Sequence, residues 1–254
     1  MRLLFHELRV QQTLFWRNRE SAFFTFLLPI IFFLIFGSVY GDDTLKDGHT
    51  HVKGAAFLEA GMIGYGVAAT AFAGLAITLV IRREAGVLKR VRGTPLPPTT
   101  YLVATLLSTM VVFALQTALI LVMGRVLYGV RWPDLPGSLL LTLALGAAAF
   151  AALGLAITGL VRSAEGSSAV VNAVYLPMAI ISGTFFSQSG YPHFLRVIAD
   201  VLPLTYFTQL SRDVMLHGHE FWHSPGPVLW VAGWGAVGLV IAIATFHWEP
   251  REGR

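Results

Sequence analysis

The sequence predicts an all-α polytopic membrane protein, six transmembrane helices in one domain over residues 1–254, on three observations. Apolar runs of about 20 residues, enough to cross a hydrocarbon core, recur six times. Charged residues make up only 13% of the chain and hydrophobic ones 55%, against roughly 25% charge in soluble domains. The basic residues also collect in alternate connections between the runs, as they do in cytoplasmic loops. With no cysteine in the chain, disulfides, thiol catalysis and thiolate metal sites are excluded. The net charge of +4 is modest, and its distribution suits a bilayer partner and no nucleic acid.

Residues 1–20 mix Arg2, Arg9, Arg17 and Arg19 with Leu4, Leu8 and Phe15, which share one helical face. That pattern reads as a helix lying in the membrane interface, with a plain cytoplasmic tail as the simpler alternative. No cleaved signal peptide is expected, because the next apolar run is too long for one. The spans are expected at 22–40, 57–81, 101–127, 137–161, 167–186 and 228–247. Pro29 in the first and Pro177 in the fifth are tolerable where neighbouring helices repair the freed carbonyl. Gly61, Gly64, Gly66 and Gly74 in the second span permit close helix contact. Residues 41–54 are polar and turn-rich, hence a loop.

The basic stretch is 82–98, RREAGVLKRVRGTPLPP. Val87, Leu88 and Val91 give it an apolar stripe at helical spacing, and Gly93, Pro95, Pro97 and Pro98 stop the helix. It reads as a short amphipathic helix over 82–93 on which a partner can push. The same arginines would also serve as anchoring alone. Residues 187–225 read as two short amphipathic helices interrupted at Pro203. Asp200, Arg212 and Asp213 lie on these apolar pieces, which suits re-entrant helices capping a cavity or an external pair that only closes the bundle.

Charge assigns the sides. The N-terminus, 82–98, 162–166 and the C-terminus hold 12 of the 18 basic residues, including Arg162, Arg251 and Arg254, whereas the opposite side, counting Glu59 at the outer end of the second span, holds 8 of the 14 acids. Both termini and the basic loop are therefore expected in the cytoplasm.

Little in the sequence carries chemistry. No G-x-x-x-x-G-K-[ST] occurs, so the phosphate cradle of a P-loop is missing and any ATP must be held by another polypeptide. His217, His219 and His223, with His49 and His51, are too loosely spaced for a ligand set and read as a solvated external region. Ser167 and Ser168 have no base within reach on the same side of the membrane. No span has a charge at its centre, which argues against a proton- or sodium-coupled carrier. Gln116 and Asn172 are expected to act as hydrogen-bond glue between helices, with a place on a translocation path as the alternative. Glu59 sits near the outer end of the second span.

Three stretches carry a family resemblance: FWRNRESAFFTFLLPIIFFLIFG (15–37), the basic loop, and PLTYFTQLSRDVM (203–215). The chain resembles the permease subunits of ABC type-2 exporters, a family that includes drug and antibiotic efflux permeases and polysaccharide and glycolipid exporters. The most specific match lies in the loop, at Glu84, Gly86, Leu88, Lys89, Arg90, Arg92, Thr94 and Pro95. The resemblance implies two permease subunits, identical or paralogous, in the cell membrane, each served by a cytoplasmic ATPase that binds ATP and Mg. Residues 1–20 would be the elbow helix, and 82–98 would hold the coupling helix, with Arg82, Arg83, Val87 and Gly93 completing its contact set. Residues 187–225 would be the external re-entrant cap, with Asp200, Pro203, Tyr206, Arg212 and Asp213. The chain itself would bind no cofactor and catalyse nothing. It would export a hydrophobic or amphipathic drug, antibiotic or lipid-like cargo. An ATP-independent channel or carrier, or a membrane assembly scaffold, remains open on the residues alone.

Overall fold

The computed structural model describes residues 2–47, 50–161, 163–246 and 248. His49, Arg162, His247, Arg251 and Arg254 lie outside the described residues. Six helices are long and apolar enough to cross a membrane: α2 (Arg19–Tyr40), Gly54–Glu84, α6 (Pro98–Tyr128), α7 (Pro136–Thr158), α8 (Ala164–Ile181) and α11 (Pro225–Thr245). Shorter helices are α1 (Arg2–Arg17), α5 (Val87–Arg92), α9 (His193–Ala199) and α10 (Pro203–Leu216).

Sequence sets the helix starts. Proline occupies the first turn of α6, α7, α10 and α11, where its missing N–H would have had no partner anyway. The α2 start is capped by Asn18, whose Oδ1 accepts from the Ser21 N–H at 3.2 Å. This cap separates α1 from α2.

Four expectations are corrected. The fold is not wholly helical: β1 (Thr44–Asp47) and β2 (Thr50–Lys53) form an antiparallel hairpin where a plain loop was expected. The second span does not stop at 81. It runs from α3 (Gly54–Val67) through a π-helical turn (Ala68–Gly74) into α4 (Leu75–Glu84). Its 31 residues would reach about 46 Å, so it extends past a ~30 Å core and carries Arg82, Arg83 and Glu84 on its last turn. The basic helix is consequently 87–92 and not 82–93. The fifth span ends at Ile181, five residues before the expected 186.

The second span is the hub. Of its most apolar window 78% is buried, against 22% for the first and sixth spans. Around it pack Phe33, Phe113, Phe150, Tyr175 and Phe207 from the surrounding helices. Gly61 is required at one of these contacts, because a Cβ there would overlap the Thr184 carbonyl oxygen.

The connections gather at two ends. At one, Arg82 reaches α1 and α6, Arg83 reaches the turn after α7, and Trp248 lies against Tyr101 with ring centres 6.4 Å apart. At the other, Lys53 donates to the Tyr128 carbonyl at 2.9 Å, and Thr50 lies 3.1 Å from the His217 ring nitrogen.

Candidate functional site

The basic end is built on Arg83. Its side chain turns into the protein, 1% exposed, and donates to the Thr158 carbonyl at 2.9 Å and the Val161 carbonyl at 2.6 Å. Two charge-assisted bonds therefore hold the end of α4 to the turn after α7, while the adjacent Glu84 lies 3.9 Å away. Ala85 and Gly86 then turn the chain. Gly86 sits at φ +67°, a left-handed conformation that costs glycine little and other residues about 1 kcal/mol or more.

The α5 helix follows with a clear inside and outside. Leu88 is fully buried in the main core, and Val91 packs beside it. Lys89, Arg90, Arg92, Gly93, Thr94 and Pro95 are exposed, with Val87 half-buried. Arg90 folds back onto the Ala85 carbonyl at 3.1 Å, and the Thr94 hydroxyl donates to the Val91 carbonyl at 2.7 Å. The apolar stripe read as a docking face thus serves the chain's own core. The surface left for a partner is Lys89, Arg92 and the turn to Pro95.

Arg82 lies across the end of α4 from Arg83. Its Nη1 donates to Gln11 Oε1 at 2.6 Å and to the Tyr101 hydroxyl at 3.0 Å, and Gln12 donates to the Ser108 carbonyl at 2.9 Å. These bonds fasten α1 to α4 and α6.

Of the intramembrane polar residues, Gln116 joins three elements. It donates to the Thr25 carbonyl of α2 at 2.9 Å and accepts from the Thr70 hydroxyl of the π turn at 3.0 Å. Among the described residues, the hydrogen bond of Asn172 is local. Its amide donates to Ser168 on its own helix at 3.2 Å. Glu59 is buried against α6 at Gly124.

At the other end, Arg212 is the centre. Its guanidinium lies 3.6 Å from the centre of the Phe57 ring, donates to the Gly183 carbonyl and stands 3.9 Å from Asp47 of the hairpin. Burial lowers its pKa to about 10, partly offset by Asp47 and Tyr191, so it stays charged at neutral pH. His217 extends the cluster, 4.0 Å from Asp47 and 3.8 Å from Asp213. Asp213 in turn accepts from Ser224 at 2.8 Å, just ahead of α11. Asp200 and Tyr206 form a separate group. The Tyr206 hydroxyl donates to the Asp200 carbonyl at 2.9 Å, and its ring lies against Trp230 at 5.2 Å. Pro203, between Asp200 and Tyr206 in sequence, opens α10. His219 and His223 stack at 4.1 Å, but among the described residues no three metal-ligating side chains converge.

Residues 3–216, from α1 through α10, match the family described as ABC-2 type transporter. The chain belongs to that family. It is also 25% identical over 211 residues to "Putative transport permease YvfS" of Bacillus subtilis (strain 168), covering 81% of this chain and 82% of that protein. The ABC-2 match makes the chain a membrane permease component of an ABC transporter and not a member of an enzyme family, and it implies an ABC ATPase partner. The Arg82, Arg83 and Arg212 side chains lie within the matched region, whereas His217, Ser224 and Trp248 lie beyond it.

Several residues that build the two ends had escaped the sequence reading. Asp47 carried a signal, because Asp47-Gly48 between two short segments with alternating Leu45 and Val52 is a hairpin pattern. Gln11, Tyr101 and Thr70 carried none, since each acts through a partner more than 15 residues away in sequence.

Proposed function

We propose that the chain is the membrane-spanning subunit of an ATP-driven exporter, and that its ATPase docks on α5. Two permease subunits would pair, with both termini in the cytoplasm, α1 lying in the interface as the elbow helix, and α9 and α10 capping the bundle from outside. The carrying observation is the construction of the basic end: a six-residue helix pinned by Leu88 presents Lys89, Arg92 and Pro95 outward, directly beside the Arg83 clamp. A partner alters a conformational equilibrium only through different contacts in the two states. A loose loop would absorb its push. A helix keyed into the core passes it to α4, and Arg83 passes it on to α7.

The second span offers a place for that motion to be taken up, because π-helical turns interrupt the regular ladder of hydrogen bonds. The chain's apolar, polar-poor spans support a hydrophobic or amphipathic cargo, which would leave on the outer side, beneath the Arg212 cluster. The test is co-purification of the ATPase with the full chain, together with ATP-dependent efflux, in wild type and in a Lys89→Glu, Arg92→Glu double variant. Loss of both in a folded variant supports the docking; unchanged capture and efflux overturn it.

A further inference from the structure

Between α1, α2, the π turn, α4 and α6 lies a cleft of about 330 Å³. Its interior is amphipathic: Gln11, Thr25, Thr70 and Thr109 line it beside Leu14 and Ile77. A second groove, of about 440 Å³ between α6, α7 and α11, is lined by Val, Leu, Met, Ala and Gly alone and would accept any acyl chain. The first cleft asks for something more specific.

Arg82 is on its wall. Among the described residues only its Nη1 is engaged, by two neutral oxygens, and no carboxylate lies within ion-pair distance of it. A half-buried guanidinium with spare N–H groups and no counter-charge is suited to a phosphate. Deeper in, the Thr25 and Thr109 hydroxyls spend their protons on the Ser21 and Thr105 carbonyls at 2.7 and 3.0 Å, so toward the cleft they are acceptors. The order from the rim is thus cation, then hydroxyl acceptors, with exposed Leu14 and Ile81 beside them. Arg82 complements a phosphate there, and among the described residues no nearby carboxylate partners the cation of a zwitterionic head. Leu14 and Ile81 line the way an acyl chain would take, with the lipid's own hydroxyl-bearing head on the solvent side of the phosphate. The location agrees, because α1 exposes Leu3, Phe5 and Trp16 as an interfacial helix does.

We propose that this cleft binds one anionic phospholipid of the leaflet in which α1 lies, its phosphate on Arg82. The proposal rests on the interfacial reading of α1 and not on ATPase docking, and its test contains no ATPase. The full chain is purified in mild detergent, exchanged into micelles of equal phosphatidylglycerol and phosphatidylcholine, and examined by native mass spectrometry. Wild type should retain one phosphatidylglycerol in preference to phosphatidylcholine. Losing a charge-assisted contact should lower that preference about tenfold in Arg82→Gln. Thr109→Leu, which fills the cleft and leaves Arg82 in place, should do the same and decides the matter if Arg82→Gln does not fold. Arg92→Gln, on the exposed face of α5, should retain the lipid as wild type does. Equal retention of the two lipids by wild type, or retention unchanged in Arg82→Gln and Thr109→Leu, overturns the proposal. Displacement of the lipid by excess inorganic phosphate also overturns it, in favour of a site for free anions.

Discussion

Replacing Arg83 by methionine keeps the stem's packing and removes its hydrogen bonds to the Thr158 and Val161 carbonyls. Bonds involving a charged group contribute about 1.5–3 kcal/mol each, so the Thr158 and Val161 contacts at 2.9 and 2.6 Å together represent roughly 3–6 kcal/mol. Against this stands the relief of no longer burying a guanidinium that is 1% exposed, a penalty of several kcal/mol in itself. The carbonyls also differ from solvent-exposed ones, since Val161 is buried and its oxygen would lose a donor. A net loss of about 1–3 kcal/mol is expected, measured as a lower midpoint of thermal unfolding of the purified chain in detergent. The functional readout is sharper. Arg83→Met leaves the outward face of α5 intact, so the ATPase should still co-purify while efflux falls. An unchanged melting midpoint with full efflux would refute the clamp.

Other substitutions separate the roles of neighbouring residues. Leu88→Asp puts a carboxylate at a fully buried position and should cost about 3 kcal/mol or more, seen as poor yield and a lowered melting midpoint. Lys89→Glu with Arg92→Glu changes only exposed side chains and should move the midpoint by no more than about 0.5 kcal/mol equivalent while abolishing ATPase capture. Gly61→Ala drives a methyl into the Thr184 carbonyl and should destabilise by about 1–3 kcal/mol, read by the same melt. Arg212→Met leaves Asp47 without its cation, and adding Asp47→Asn should recover part of the loss; a double-mutant cycle measures the coupling, expected at about 0.5–3 kcal/mol.

The number of spans was legible because membrane thickness demands long apolar runs, and these survive any detail of packing. Their ends were less so. Arg82, Arg83 and Glu84 look like the start of a loop by charge, yet they continue α4, because Arg83 finds two carbonyl partners inside the bundle. The amphipathic stripe of Val87, Leu88 and Val91 was visible, but periodicity gives a buried face and not what buries it. Here the chain's own core does. The π turn had no local signature: it is set by contacts such as Thr70 with Gln116 on another helix. The same holds for Arg212, whose partners come from the hairpin and from the turn after α8.

The absence of cysteine makes single cysteines clean probes of the docking surface. In membranes containing the ABC ATPase, a thiol-to-amine cross-linker would be applied to Lys89→Cys, Arg92→Cys and, at the opposite end, Glu220→Cys. Docking on α5 predicts cross-links to the ATPase from positions 89 and 92 and none from 220. Cross-linking from 220, or from no position in a complex that still hydrolyses ATP and exports, would contradict it.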